Sequence, residues 1–283
     1  MFPTETSKIY SLWEKSLYEK YMIINVLHLV VQKLKSCGKI DKEVLFMKKL
    51  SALLFLFFAG FFLFAAERLI VNNVEVKDFK NLTDILGDGT VLFEPETSTL
   101  TLNNASLTKG ADGKGLEYAE FPAILFEGNL TIVLKGKNCI TVGSDSVVMG
   151  EKVHNNAIVG SGTLIISGEK NASLEINGMV NAPEYIQKSG IVTITVENNH
   201  SKIVKWGLYC DKKIEISGGT LSVCMTGKNS GGALMMDKNG ILIYAQGAAL
   251  YEGNSEPGAP VKALTWSKGL SKETKKFVKI VVN

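Results

Sequence analysis

Five segments of this chain align with one another, and an internal repeat constrains a fold more than any single motif does. They are AILFEGNLTI from Ala123, AIVGSGTLII from Ala157, YIQKSGIVTI from Tyr185, GLYCDKKIEI from Gly207 and ALMMDKNGILI from Ala233. Their starts lie 34, 28, 22 and 26 residues apart. Each unit runs through a Gly or Lys turn into an alternating strand. The pairs Leu130/Ile132, Leu164/Ile166, Val192/Ile194, Ile214/Ile216 and Ile241/Ile243 are expected to face one way. Further strands are predicted at CITV 139–142, SLEI 173–176, KIV 202–204 and LSVC 221–224. No unit holds a helical pattern long enough for a βαβ crossover.

A strand–turn–strand unit of this size cannot bury its apolar face alone. Stacked as coils it can, with equivalent strands pairing coil to coil around a continuous Ile/Leu/Val core. The predicted fold is therefore all-β, a right-handed parallel β-helix (solenoid) with β-hairpin caps. The alternative is an antiparallel β-sandwich, which also uses short, regularly spaced strands. At the N-terminal end, LIVNNVEV is expected to turn at Asn72-Asn73, and a hairpin around Glu94 to Ser98 completes that cap. KALTW at 262–266 and KFVKIVVN at 276–283 read as two lysine-bearing strands at the other end.

The runs LGDGTVLFEPETSTLTLNNASLT, GNLTIVLKGKNCIT and GTLIISGEKNASLEI resemble a family of secreted bacterial repeat proteins, often labelled carbohydrate-binding-domain proteins. The resemblance covers roughly residues 69–245. It implies a right-handed parallel β-helix and binding of plant or acidic polysaccharides, in some relatives with calcium. It carries no ligand motif over residue by residue.

The opening of the chain speaks to destination. From Met47 the sequence reads MKKLSALLFLFFAGFFLFAAE, two lysines, an apolar run and small residues at Ala65-Ala66. This is the layout of a signal peptide over 47–66. A membrane anchor is the other reading, but Leu50 to Phe64 is short of the ~20 residues a spanning helix needs. Residues 1–46 are an N-terminal extension or the product of a start placed too far upstream. Codons for Lys42-Glu43-Val44 can hold a ribosome-binding sequence at a workable distance from Met47. The domain proper is 67–283, exported to the periplasm, cell surface or medium and free of the membrane after cleavage.

Charge then excludes a class of partner. The whole chain is +3, but residues 1–66 carry nine lysines and five acids. The remainder holds 22 basic and 23 acidic residues, so nucleic acid has no electrostatic footprint there. Arg68 is the single arginine and lies at the cleavage edge. An arginine base is excluded within the repeats, while a lysine base stays open.

Two constellations remain as candidates for binding. Position five of the units reads Glu127, Ser161, Ser189, Asp211, Asp237, a corner column with coils about 4.8 Å apart. Asp211 and Asp237 would then repel unless a cation shares them, and Ca²⁺ is the candidate metal. The plainer reading is that Lys212 and Lys238 neutralise them in solvent. Tyr185, Trp206 and Tyr209 fall near one corner and are candidate sugar platforms, since sugar C–H faces pack on aromatic rings. The plainer reading is packing beneath a turn or cap. Cys139, Cys210 and Cys224 leave two readings open, a Cys210–Cys224 disulfide or free thiols. No CxxC pair, Ser-His-Asp set or phosphate loop occurs. The expected function is an exported, monomeric, non-catalytic protein that binds polysaccharide or a surface glycan. The alternatives are a β-helix lyase or hydrolase, and an adhesin with a protein partner.

Overall fold

The structure, a computed structural model, describes residues 68–76, 83–110, 122–141, 147–148, 151–152, 156–197, 206–227, 230–267 and 271–282. The signal peptide, the extension before it and the strand expected at 202–204 lie outside these. The described residues belong to one compact unit, 63–283.

Strands β1 (Arg68–Val71) and β2 (Val74–Glu75) form a hairpin. Its turn is Asn72-Asn73, both in the left-handed region that asparagine tolerates. Strand β3 (Val91–Glu94), a 3₁₀ turn at Pro95–Thr97 and β4 (Thr99–Asn103) form a second hairpin, followed by β5 (Ser106–Leu107). Four three-strand coils follow. They are β6 (Ile124–Glu127), β7 (Leu130–Lys135) and β8 (Lys137–Thr141), then, after the small hairpin β9 (Val147–Val148) and β10 (Glu151–Lys152), β11 (Asn156–Gly160), β12 (Thr163–Gly168) and β13 (Ser173–Asn177). The third coil is β14 (Met179–Asn181), β15 (Glu184–Gln187) and β16 (Ile191–Glu197), and the fourth is β17 (Leu208–Cys210), β18 (Lys213–Ile216) and β19 (Gly219–Thr226). Strands β20 (Leu234–Asp237) and β21 (Ile241–Tyr244) begin a fifth. The C-terminal segment holds β22 (Ala249–Gly253), β23 (Ala259–Val261), β24 (Ser271–Glu273) and β25 (Phe277–Val282).

The chain visits three sheets in a fixed cycle. The first sheet is ordered β2-β1-β6-β11-β14-β17-β20-β24, the second β21-β18-β15-β12-β7-β4-β3, and the third β23-β22-β25-β19-β16-β13-β8-β5. From β4 to β21 every neighbouring pair within these sheets is parallel. The architecture is thus all-β and β-helix-like, with parallel strands in stacked sheets. An antiparallel sandwich would have the opposite pairing through this body and is set aside. Antiparallel strands finish the ends, β1 on β6, β24 on β20, and β25 between β19 and β22.

Inward side chains stack in register as columns. Leu130, Leu164, Tyr185, Ile214 and Leu242 form one, and Leu100, Ile132, Ile166, Gln187, Ile216 and Tyr244 another. Almost all are buried in one core. Large residues sit over small ones: a Cβ on Gly160 would lie 1.9 Å from the Phe126 ring. At the corner between second and third sheets, Gly190 and Gly219 take φ of +84° and +79°, and a Cβ on Gly219 would lie 2.1 Å from the Gly190 carbonyl. Buried Asn138 ties three coils at that corner. Its Oδ1 accepts from Ala105 N–H at 2.9 Å, and its Nδ2 donates to the carbonyls of Lys135 and Ser173.

Three expectations are corrected. The third repeat begins one strand earlier than the sequence alignment from Tyr185 places it. The register pairs Ile158 with Val180 and Val180 with Leu208, so the third coil opens at Met179, and Tyr185 is a second-sheet residue. Val192 and Ile194 do point inward, but in the third sheet. In the fifth unit the extra residue reverses the phase: Leu242 and Tyr244 face the core, while Ile241 and Ile243 are 52% and 43% exposed. Finally, 262–266 is no strand. The partner strands there are β23 and β24 on either side of it.

Candidate functional site

Correct phasing changes the corner column. Residues that follow the aligned first-sheet strands are Glu127, Ser161, Pro183, Asp211 and Asp237. Ser189 sits at a different corner, where its hydroxyl accepts from Gly168 N–H and donates to the Gly168 carbonyl. Ser161 is a neighbour-coil brace, its Oγ accepting from Gly128 N–H. Asp211 and Asp237 remain adjacent in the column, since Cys210 pairs with Met236 just before them.

Four of the five candidate residues meet here. Leu208 and Cys210 are buried inward residues of β17, so Tyr209 between them faces out. Trp206 precedes the strand, half-buried against the core, and its ring centroid lies 6.2 Å from that of Tyr209 at a tilt of 35°. The Tyr209 hydroxyl donates to Asp237 Oδ1 at 3.5 Å. Partial burial, then the Asp237 and Asp211 carboxylates, push the Tyr209 hydroxyl above its ordinary range, so it stays a donor at neutral pH.

Two polar atoms at this corner are buried with no hydrogen-bond partner, Trp206 Nε1 and Asp211 Oδ1. Such atoms are uncommon in folded proteins and cost free energy. Among the described residues, neither Lys212 nor Lys238 comes within ion-pair distance of either aspartate. Lys213, the next residue, turns to Glu184 and Glu215 instead. The corner therefore offers two carboxylates, a tyrosine hydroxyl and a tilted aromatic pair. No group of three or more His, Cys, Asp or Glu gathers among the described residues.

Tyr185 is not part of it. This residue is 1% exposed, a core side chain whose hydroxyl donates to Gln187 Oε1 at 2.9 Å. The alignment from Tyr185 puts it at a surface corner, whereas the register puts it in a buried second-sheet column. The three described cysteines are free. Cys210 lies inside the first sheet, and Cys224 lies on the outer face of the third, so they do not bond. Arg68 clamps the N-terminal cap, its Nε 3.3 Å from Glu75 and its Nη1 3.7 Å from Glu127.

What sequence reasoning missed is a cavity of about 610 Å³ at the C-terminal end, lined in part by Leu242, Tyr244, Leu264 and Trp266. The sequence pattern puts Trp266 in a strand and turns Tyr244 outward as a surface aromatic, whereas both line this space. The chain matches no family model, no curated protein and no solved structure.

Proposed function

We propose that this chain is an exported, non-catalytic glycan-binding protein built on a right-handed parallel β-helix. The observation that carries the reading is the corner where Trp206 and Tyr209 lie beside Asp211 and Asp237. Aromatic faces accept the C–H faces of sugar rings, and paired carboxylates accept their hydroxyls. Ca²⁺ fits the same pair: Asp211 Oδ1 lacks a partner, and Asp237 is exposed one coil away. With two side-chain ligands, the rest of the six to eight oxygens would come from backbone, water or an acidic sugar. The non-catalytic part of the reading is supported by Arg68, which is engaged in the N-terminal cap rather than available as a base.

A polysaccharide pull-down with protein expressed from the full chain tests this, run with Ca²⁺ and with a chelator. Calcium-dependent retention on an acidic polysaccharide, lost in Asp211→Ala/Asp237→Ala, is the expected result. Retention that ignores the chelator and disappears in Trp206→Ala would leave the aromatics alone as the site. Absence of retention on every glycan, by protein shown to be folded, rejects the reading. Release of unsaturated or reducing sugar would replace it with an enzyme.

A further inference from the structure

The C-terminal segment finishes two of the three sheets and leaves the other bare. Strand β24 covers β20 in the first sheet, and β25 covers β19 in the third. In the second sheet β21 is the last strand, and among the described residues nothing pairs with its outer side. Its ladder to β18 runs through alternate residues: Ile241 N–H donates to Lys212 and Ala245 N–H to Ile216. The amides and carbonyls of Leu242 and Tyr244 therefore point to the bare side.

Edge strands in folded proteins are normally blunted by lysine, proline or a covering segment. The other C-terminal edges obey this, with Lys272 in β24 and Pro260 in β23. Strand β21 reads Ile-Leu-Ile-Tyr and holds neither lysine nor proline. Beside it lies the cavity of about 610 Å³. Leu242 and Tyr244, the last members of two inward columns, form its floor, and Leu264 and Trp266 stand in its wall. A further second-sheet strand would set its own inward side chains there. Ala263, Leu264, Trp266 and Ser267 line the same space. The charged residue lining it is Lys272, whose ammonium donates to the Gly240 carbonyl at 3.2 Å and, among the described residues, meets no carboxylate.

We propose that the bare edge of β21 is a docking site for an extended peptide strand of a partner protein. The peptide adds to the second sheet through the Leu242 and Tyr244 backbone groups. Alternate apolar side chains fill the cavity, and an acidic group meets Lys272. This site is separate from the Trp206 corner and does not depend on the glycan reading.

The probe is a fluorescein-labelled peptide, valine-threonine-valine-threonine-valine-glutamate, titrated against the full chain by fluorescence anisotropy. Controls are the same peptide with alternate amides N-methylated and one with lysine replacing glutamate. Saturable binding, weakened at least tenfold by N-methylation and by the lysine swap, is expected. Leu242→Pro removes an N–H that the β18 ladder does not use, so it should abolish binding while the far-ultraviolet spectrum stays unchanged. Lys272→Glu should invert the preference toward the lysine peptide, a readout that misfolding cannot produce. Equal binding of the N-methylated peptide, or no binding of the glutamate probe, overturns the proposal. A concentration-dependent dimer that Leu242→Pro dissolves also overturns it, in favour of a second copy at the edge.

Discussion

Residues that break the aliphatic pattern of the core are where this protein is most sensitive. Tyr185 and Gln187 stand in columns otherwise filled by Leu and Ile. They survive because the tyrosine hydroxyl bonds Gln187, whose Nε2 donates to the carbonyls of Gly190 and Thr220. Tyr185→Phe strands Gln187 Oε1 inside the core. That should cost about 1–3 kcal/mol, seen as a lowered urea midpoint with an unchanged slope. Tyr185→Phe/Gln187→Leu should recover part of the loss, and a double variant no better than the single would refute the argument. Burial also raises two protons' affinity here. Burial first, then the Asp211 charge, pushes the Cys210 thiol well above its ordinary 9.0, and burial pushes the Tyr185 hydroxyl well above 10.0. The unfolded chain sheds these protons first, so the folded state binds more protons at high pH and loses stability as pH rises. This contribution is intact below the ordinary thiol value and declines above it. Urea midpoints measured across that range should fall, less steeply in Cys210→Ala. A midpoint constant to about pH 11 would contradict the linkage.

Elements differ in how far their sequence exposes them. Strands with strict alternation, such as Leu130–Lys135 and Thr163–Gly168, were readable residue by residue because their inward sites are Leu and Ile. The third coil was not, since its opening strand Met179–Asn181 is three residues long and its second strand buries Tyr and Gln. A polar core pair looks like a surface corner when only hydropathy is seen, and that is how Tyr185 entered the candidate site. Asp211, Asp237, Trp206 and Tyr209 were recoverable because the first-sheet alignment from Gly207 to Ala233 holds in register. In the C-terminal closure KFVKIVVN forms β25 as its sequence predicts, while the fold of the segment before it is not legible. That fold depends on Glu252, an acid on an inward position of β22, which no pattern rule expects. Glu252 Oε1 accepts from Thr265 and Lys275 N–H, and Oε2 faces the Lys275 ammonium at 3.6 Å. Glu252→Ala removes all three contacts and, by leaving the Thr265 and Lys275 N–H groups without their acceptor, should cost about 1–3 kcal/mol. Trp266 fluorescence should report loosening of the cap ahead of global unfolding. A single transition at the wild-type midpoint would show the cap does not rely on this carboxylate.

At the level of the whole molecule, the β-helix reading makes a demand that a generic stack of sheets does not. If each coil touches only its neighbours, one coil can be excised in register. Deleting Ile158–Met179 joins Ala157 to Val180, the register partner of Ile158, so the chain after the junction takes up the deleted coil's places. The shortened chain should still unfold cooperatively, with a smaller urea slope in proportion to lost surface. Deleting only Ile158–Ser167 places second-sheet residues in the third sheet and should prevent folding. Comparable behaviour of the two deletions would argue against a repeating coil.

The same ladder has a mechanical meaning. Hydrogen bonds between successive coils run along the stacking direction, so tension applied between the two ends acts on them one row after another instead of all together. Under pulling, coils should peel singly, each step paying out one repeat of 22 to 34 residues, roughly 75 to 115 Å of contour. Antiparallel strands held on two sides interrupt this at both ends, β1 between β2 and β6 and β25 between β19 and β22, where rupture must break two rows at once. A β-helix so built should therefore yield coil by coil once one of these end strands has given way.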